Sequence, residues 1–188
     1  MNITTVVYPG DAALPLADEF LHLRRLATKA AVPAQGDPRS AAEELRGWMA
    51  EQARIPGFLA VTARADSLLC GFGIATRTPD PYTGEEWSGD GPRAQEWLAG
   101  AVRIADLAVA PAARGQGVAT RILETLMVPA IDDRVWVAPW HTDAAAVGFF
   151  RHQGWRQTVF PRFGSGPERA VFLGPRHPSL AGMPVVGC

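Results

Sequence analysis

Apolar positions in the first 76 residues follow the order strand, helix, helix, hairpin. The stretch Ile3 to Tyr8 is rich in β-branched residues and is followed by Pro9-Gly10, a turn pair. Apolar residues then recur at helical spacing from Leu14 to Ala31, with charged residues between them. The predicted elements are a strand at 3–8, helices at 14–31 and from 38 to near 55–57, and hairpin strands at 58–63 and 68–76.

The second half of the chain alternates strands and helices, which predicts a partly parallel sheet. The predicted elements are strands at 102–110, 134–138, 155–160 and 169–173, and helices at 117–130 and 143–153. Between the two halves, Thr78 to Gly100 is polar and rich in proline and glycine, and it is predicted to form the longest loop. We therefore expect a single α/β domain over residues 1–175 and a tail over 176–188.

Composition and charge narrow the class of protein. The chain has 188 residues, of which 47% are hydrophobic and 20% charged, as expected of one globular domain. Its 18 Lys and Arg residues against 19 Asp and Glu residues give a net charge of -1, which argues against nucleic acid as a partner. Two cysteines, no signal-peptide pattern and no apolar run of about 18 residues favour a cytoplasmic protein with neither disulfides nor membrane contact.

One segment predicts an anion-binding site. From Val102 to Thr120 the sequence runs from a predicted strand through Arg114-Gly115-Gln116-Gly117 into a predicted helix. Glycines let the backbone approach a ligand closely, and the N–H groups and positive dipole at a helix start attract phosphate. Two other interpretations are that Gly115 and Gly117 form only a tight turn, or that the loop binds a dinucleotide. A dinucleotide-binding motif needs a third glycine, where this chain has Ala119-Thr120. It also needs an acidic residue near the end of the next strand, which this chain does not supply.

The same segment resembles a known family, the GCN5-related N-acetyltransferases (GNAT). Arg114, Gly117 and Ala119 stand at the positions of that family's signature: arginine or glutamine, two spacers, glycine, a spacer, then glycine or alanine. The stretch Leu107 to Pro111 is similar to the strand that precedes the family's loop. The resemblance implies a mixed sheet with a splayed pair of parallel strands and flanking helices.

Residues 143–155 resemble a second motif of that family. They keep its spacing, and they match it at Ala146, Phe149 and Gly154. The departures are Asp143, Phe150 and Trp155, where the family usually has Asn, Tyr and Phe. Phe150 matters for the chemistry, because the family's tyrosine hydroxyl protonates or hydrogen-bonds the departing thiolate.

The resemblance implies acetyl-CoA as the cofactor and an N-acetyltransferase that moves acetyl to an amine by direct attack in a ternary complex. In that family the strand before the loop holds the pantetheine arm and the loop holds the pyrophosphate, and the resemblance implies the same here. The predicted cofactor-binding residues are Leu107, Ala108, Val109, Arg114, Gly115, Gln116, Gly117, Val118, Ala119, Thr120, Asp143, Phe149 and Phe150. The alternative is a non-catalytic protein of the same fold that binds acyl-CoA as a sensor or structural module.

Two side chains are predicted to do acid–base chemistry. Asp106 alternates with Leu107 along its strand, which places its carboxylate on the opposite face, beside the expected thioester. His141 follows the strand at 134–138, and imidazole suits a proton relay at about neutral pH. Each has a structural alternative, a hydrogen bond near the sheet for Asp106 and packing beside Trp140 for His141.

The acceptor is expected to be a small molecule that carries an amine. Carboxylates and aromatic rings stand together in the predicted loop at 78–100, and they suit a cation through charge pairing and cation–π contact. The predicted acceptor residues are Tyr82, Glu85, Glu86 and Trp87, and a solvated polar loop is the alternative. No residues have metal-ligand spacing, so no metal is predicted. A homodimer is compatible with the sequence.

Overall fold

The computed structural model describes residues 2–28, 38–81, 91–159 and 169–181. Its strands are β1 (Ile3–Pro9), β2 (Leu59–Ala65), β3 (Leu68–Arg77), β4 (Val102–Val109), β5 (Val135–Val137), β6 (Arg156–Val159) and β7 (Val171–Leu173). Its α-helices are α1 (Ala17–Thr28), α2 (Pro38–Ala53), α3 (Gly91–Leu98), α4 (Val118–Met127) and α5 (Ala144–His152). The strands form a mixed sheet in the order β1-β2-β3-β4-β5-β7-β6. This confirms the predicted α/β class.

The prediction of a continuous loop over residues 78–100 is wrong, because α3 occupies Gly91–Leu98. The physical reason is burial: Trp97 is 8% exposed and Leu98 is fully buried, and both belong to an apolar cluster with Trp136. The Gly91-Pro92 pair is a helix-start signal, but turn-forming residues dominate the segment before it. Residues 82–90 of the predicted loop lie outside the described part of the chain.

The chain divides into two compact units. The first comprises Met1–Arg77 with Ile104–Val128, and the second comprises Thr78–Arg103 with Pro129–Cys188. The strand β4 therefore begins in the second unit and continues in the first.

In the first unit, β1 pairs with β2, and β2 with β3, in antiparallel fashion. The turn between β2 and β3 is Asp66-Ser67, with φ angles of +47° and +72°, which confirms the predicted hairpin. The helices α1 and α2 contribute to one apolar core with this sheet. At its centre the Phe20 ring of α1 stacks on Phe72 of β3, with ring centroids 4.3 Å apart. Burying rings of this size contributes about 1.5–3 kcal/mol each.

The opposite face of β3 carries α4, which packs directly on two glycines. A Cβ atom at Gly73 would lie 2.7 Å from both Ile122 Cγ2 and Leu126 Cδ1, and one at Gly71 would lie 2.8 Å from Val118 Cγ1. Ile122 and Leu126 are fully buried. The missing side chains of these glycines therefore let α4 approach the sheet closely.

We expect Gly73→Ala to lower the free energy of unfolding by about 1–3 kcal/mol, the usual cost of overpacking a buried site. Urea denaturation measures this change. Leu126→Ala vacates space beside Gly73, so the double variant should lose less stability than the sum of the two single variants.

The control is Gly47, an exposed glycine of α2, where an added Cβ meets no described atom within 4 Å. Gly47→Ala should be neutral or stabilising, because alanine has the higher helix propensity. Equal stabilities of Gly73→Ala and the wild type would contradict the close packing of α4 on β3.

In the second unit, β7 pairs antiparallel with both β5 and β6. Trp136 of β5 is fully buried, and its Nε1 donates a hydrogen bond of 2.7 Å to Thr78 Oγ1. Arg134 Nη2 donates to the carbonyl oxygens of Glu96 and Ala99 at 2.8 and 2.9 Å. This cation therefore stabilises the C-terminal end of α3, where helix carbonyls lack partners.

A buried histidine lies near the end of the described chain. His177 is 2% exposed; its Nε2 lies 3.1 Å from the Trp97 carbonyl oxygen, and its Nδ1 accepts a hydrogen bond of 3.2 Å from the Ser179 N–H. These contacts assign a neutral ring with its proton on Nε2. Burial lowers the pKa of His177; the hydrogen bond to Trp97 opposes this shift, and the positive charge of Arg134 adds to it.

We expect the stability of the protein to fall as the pH drops below the ordinary histidine pKa of about 6.5. Because folding depresses the pKa of His177, its contribution is complete above that value and is lost as the pH falls towards the pKa of the folded state. Urea unfolding of the wild type and of His177→Asn, measured across this pH range, separates the contribution of His177 to the pH dependence of stability from that of the carboxylates. An identical pH dependence in the two proteins would show that His177 carries no linked proton.

Candidate active site

The loop between β4 and α4 has the backbone geometry of an anion site. Its residues 114–117 are exposed, and α4 begins at Val118. Gly115 and Gly117 have φ angles of +73° and +74°, in the left-handed region where a residue with a side chain costs about 1–2 kcal/mol. A Cβ at either glycine would meet no described atom within 4 Å. The loop therefore leaves open space beside its backbone.

The N–H groups at the start of α4 are available to a ligand. The first hydrogen bond from the loop into the helix is donated by the Arg121 N–H to the Gly117 carbonyl oxygen, at 3.1 Å. The N–H groups of Val118, Ala119 and Thr120 precede it and have no acceptor within a helix of this geometry. Together with the positive end of the helix dipole, they can hold a phosphate or pyrophosphate group.

Arg114 ties this loop to α1. Its Nη2 donates a hydrogen bond of 2.7 Å to the Ala27 carbonyl oxygen in the last turn of α1, and its Nε lies 3.4 Å from the Val109 carbonyl oxygen. The guanidinium is exposed, so a phosphate can also reach it. Arg114 thus anchors the loop as well as adding positive charge to it.

The strand before the loop separates its side chains between two environments. Ala108 is buried in the core that contains Phe20 and Phe72, whereas Leu107 and Val109 are half-buried. Alternation along β4 puts Leu107 and Val109 on the face opposite Ala108. The predicted contacts of this strand with a pantetheine arm stay predictions.

Asp106 of β4 forms an ion pair that the sequence did not reveal. Arg24 Nη2, from α1, donates to Asp106 Oδ2. The Asp106 side chain is 16% exposed, and that of Arg24 is 39% exposed. Burial raises the pKa of Asp106, while the charge and hydrogen bond of Arg24 and a hydrogen bond from the Leu107 N–H oppose the rise. A carboxylate with a raised pKa is a stronger base than an exposed one.

The position of Arg24 in α1 is a sequence signal for a buried ion pair. Arg24 lies four residues after Phe20 in α1, so the two side chains share a helix face. Phe20 is fully buried, and a charged residue on a buried face needs a partner of opposite charge. The partner is 82 residues away along the chain, and no local pattern identifies it.

The residues of the second motif have structural roles in the second unit. Asp143 caps α5 by accepting a hydrogen bond of 3.0 Å from the Ala146 N–H. Phe150 is 4% exposed and lies in an aromatic cluster with Phe149, Trp155 and Phe172, with ring centroids 5.1 to 6.2 Å from its own. The cofactor contacts predicted for Asp143, Phe149 and Phe150 stay predictions.

Of the other predicted site residues, one is exposed and four lie in a part of the chain that the structure does not describe. His141 is exposed between β5 and α5. The four predicted acceptor residues lie outside the described residues: Tyr82, Glu85, Glu86 and Trp87. In the described ranges, no three His, Cys, Asp or Glu side chains are grouped as a metal ion would require. No helix of those ranges has the length and apolar character to cross a bilayer.

The chain has the arrangement found in α/β proteins that bind phosphate-bearing ligands where a sheet strand leads through a glycine loop into the start of a helix. Within this class, residues 46–157 match the family described as acetyltransferase (GNAT) domain. The match covers more than half of the chain, and the chain belongs to the GNAT acetyltransferase family. This confirms the resemblance drawn from the two motifs. No curated protein matches the sequence.

Solved structures share the fold. The ribosomal-protein-S18-alanine N-acetyltransferase from Escherichia coli aligns with a TM-score of 0.54 at 15% identity, over 92% of this chain and 94% of that chain. The PaiA N-acetyltransferase from Thermoplasma acidophilum, in complex with coenzyme A, aligns with 0.55 at 11% identity, over 93% and 99%. The yncA protein from Salmonella typhimurium, with its cofactor acetyl-CoA, aligns with 0.55 at 15% identity, over 92% and 92%. The cofactors of these structures are consistent with the predicted acetyl-CoA.

Proposed function

We propose that this protein is an N-acetyltransferase, which transfers acetyl from acetyl-CoA to an amine by direct attack in a ternary complex. The observation that carries the proposal is the exposed loop at 114–117, whose left-handed glycines leave open space beside the backbone just before α4 begins. Membership of the GNAT family supports the same reaction.

The residues present fit acetyl-CoA. The N–H groups of residues 115–120 hold the pyrophosphate, and Arg114 adds positive charge beside it. The backbone of Leu107 and Val109 positions the pantetheine arm. When bound, the cofactor supplies an acetyl thioester, which an uncharged amine can attack.

The acceptor must lose a proton before it attacks. An alkylammonium has a pKa of about 10.4, so little free amine is present at neutral pH and a base must assist. Asp106 is the proposed base, because burial has raised its pKa and so strengthened it. His141 is a second candidate for proton transfer, since it follows β5 and is exposed.

The departing thiolate needs less help than the amine. A thiol has a pKa of about 8.5, so its conjugate base is a tolerable leaving group. Phe150 stands where the family usually has a tyrosine, and it has no proton to give. Water or His141 would protonate the thiolate. The same phenylalanine favours the second candidate function, a protein that binds acyl-CoA as a sensor without turnover.

The proposed acceptor is a small molecule with a positively charged amine. The supporting feature is chemical composition, because Glu85 and Glu86 stand between Tyr82 and Trp87 in a segment that also holds Asp80 and Asp90. Carboxylates and aromatic faces both attract an ammonium group.

The decisive experiment measures release of free CoA from acetyl-CoA over a panel of polyamines, amino acids, aminoglycoside-like amines and peptides. We expect turnover with at least one small amine, and mass spectrometry should show the acetylated nitrogen. Binding of acetyl-CoA without release on any acceptor would favour the sensor. Absence of acetyl-CoA binding would contradict both functions.

A further inference from the structure

We propose that Arg24 is a positioning residue, which holds the Asp106 carboxylate in its charged form and in place for proton transfer. The inference rests on the proposed function. It concerns a residue outside both family motifs, and it adds to the reaction a side chain from α1.

The Arg24 side chain is partly buried: it is 39% exposed as a whole, but its Nε atom is buried. Its Nη2 donates to Asp106 Oδ2, which lies on a side chain only 16% exposed. Its Nε is buried and has no hydrogen-bond partner within the described residues. The guanidinium therefore meets the carboxylate through Nη2 rather than through the paired nitrogens of a fork. The hydrogen bond uses one carboxylate oxygen, Oδ2.

Few other charges face Asp106. From α1 it meets Arg24, and on its own strand it meets the Leu107 N–H. From the neighbouring strand β3, Gly73 brings no charged side chain, and an added Cβ there would lie 3.3 Å from the Asp106 backbone carbonyl oxygen. In the described part of the chain, Arg24 is thus the charged side chain that contacts this carboxylate.

The neighbouring acids of α1 do not compete for Arg24. Asp18 pairs with Arg46 at 2.6 and 2.7 Å, and Glu19 pairs with Arg64 at 2.6 Å. The position of Arg24 is also fixed from its other side, because Arg114 donates to the Ala27 carbonyl oxygen in the following turn of α1.

The chemical consequence follows from burial. A carboxyl group shielded from water favours its neutral form, and a neutral acid cannot accept a proton from an ammonium group. An adjacent guanidinium favours the charged form instead. Burial and Arg24 act in opposite directions on the pKa of Asp106, so Arg24 limits the rise that burial causes.

The test compares Arg24→Gln, which removes the charge, with Arg24→Lys, which keeps it. Arg46→Gln is the matched control, since it breaks the exposed pair with Asp18 and leaves Asp106 untouched. The first readout is carbon-13 NMR titration of the aspartate carboxyl groups in the full chain, with Asp106→Asn to assign the signal. We expect the Asp106 titration to move to higher pH in Arg24→Gln, to a lesser extent in Arg24→Lys, and not in Arg46→Gln.

The second readout is the pH dependence of kcat/KM for the amine. We expect Arg24→Gln to lose about tenfold or more at about pH 6 and less at alkaline pH, with an unchanged KM for acetyl-CoA. Arg24→Lys should recover part of this loss.

Each outcome decides a separate point. An Asp106 titration that is unchanged in Arg24→Gln overturns the proposal whether or not the protein turns over. A shifted titration with a pH profile equal to that of Arg46→Gln also overturns it, because the ion pair would then be only structural. A wild type that acetylates no amine contradicts the proposed function instead, while the titration still decides whether Arg24 controls the charge of Asp106. If Arg24→Gln does not fold, the titration of Arg24→Lys against the wild type carries the test.

Discussion

Gly117→Glu is expected to abolish the rise in melting temperature that acetyl-CoA gives the wild-type protein. A ligand present at about 100 times its Kd stabilises the folded state by about 2.7 kcal/mol, so the wild-type shift is easily measured. In the variant, a carboxylate stands in the open space beside the loop N–H groups and repels pyrophosphate. The left-handed φ of +74° adds strain of about 1–2 kcal/mol for any side chain at this position.

The matched control for Gly117→Glu is Gly100→Glu. Gly100 also has a left-handed φ, +68°, and an added Cβ there meets no described atom within 4 Å. This control carries the same charge and the same type of strain outside the loop, so it should keep the acetyl-CoA shift. An unchanged shift in a folded Gly117→Glu protein would remove the basis for placing the cofactor at this loop.

Asp106→Asn is expected to lower kcat by about 10²- to 10⁴-fold, the usual contribution of a general base. Asparagine keeps the shape of the side chain but cannot take a proton. The loss should shrink at high pH, where more of the acceptor amine is already uncharged. Affinity for acetyl-CoA, measured by calorimetry, should be unchanged, because the cofactor is proposed to contact the loop and the strand backbone.

Asp18→Asn provides the comparison for Asp106→Asn, since Asp18 also pairs with an arginine but is 65% exposed. It should leave kcat close to the wild-type value. If the two substitutions lower kcat equally, or if Asp106→Asn retains full activity, then Asp106 is a structural partner of Arg24 and the base must be sought elsewhere, with His141 as the next candidate.

Local patterns predicted most of the fold. The strands, α1, α2, α4 and α5 follow from apolar spacing, and the loop before α4 follows from its glycines, because these signals lie within a few residues of each other. The helix α3 was missed, since Trp97 and Leu98 are buried by β5 and β7, which are distant in sequence. The role of the glycines of β3 has no local signal in the sequence, and only the position of Ile122 and Leu126 shows why they are needed.

The part of the candidate site that depends on backbone conformation could be predicted from the sequence. The ion pair between residues distant in the sequence could not. Gly115 and Gly117 can be identified from sequence because glycine is the residue that adopts their φ angles without strain. Asp106 was identified by its place on the strand, but its partner Arg24 was not, because an ion pair across 82 residues leaves no local pattern.

Two of the arginine contacts of α1, Arg24 with Asp106 and Arg114 with Ala27, limit how this protein can be redesigned. A helix that covers one face of the sheet looks like an exchangeable module, which an engineer would graft from another family member to change acceptor range. Here the graft would have to reproduce Arg24 for Asp106 and present the Ala27 carbonyl oxygen to Arg114. A helix chosen for its outer surface alone would leave the Asp106 carboxylate without its ion pair and Arg114 without one of its two carbonyl contacts, so the outer surface of α1 cannot be exchanged independently of the strand and loop beneath it.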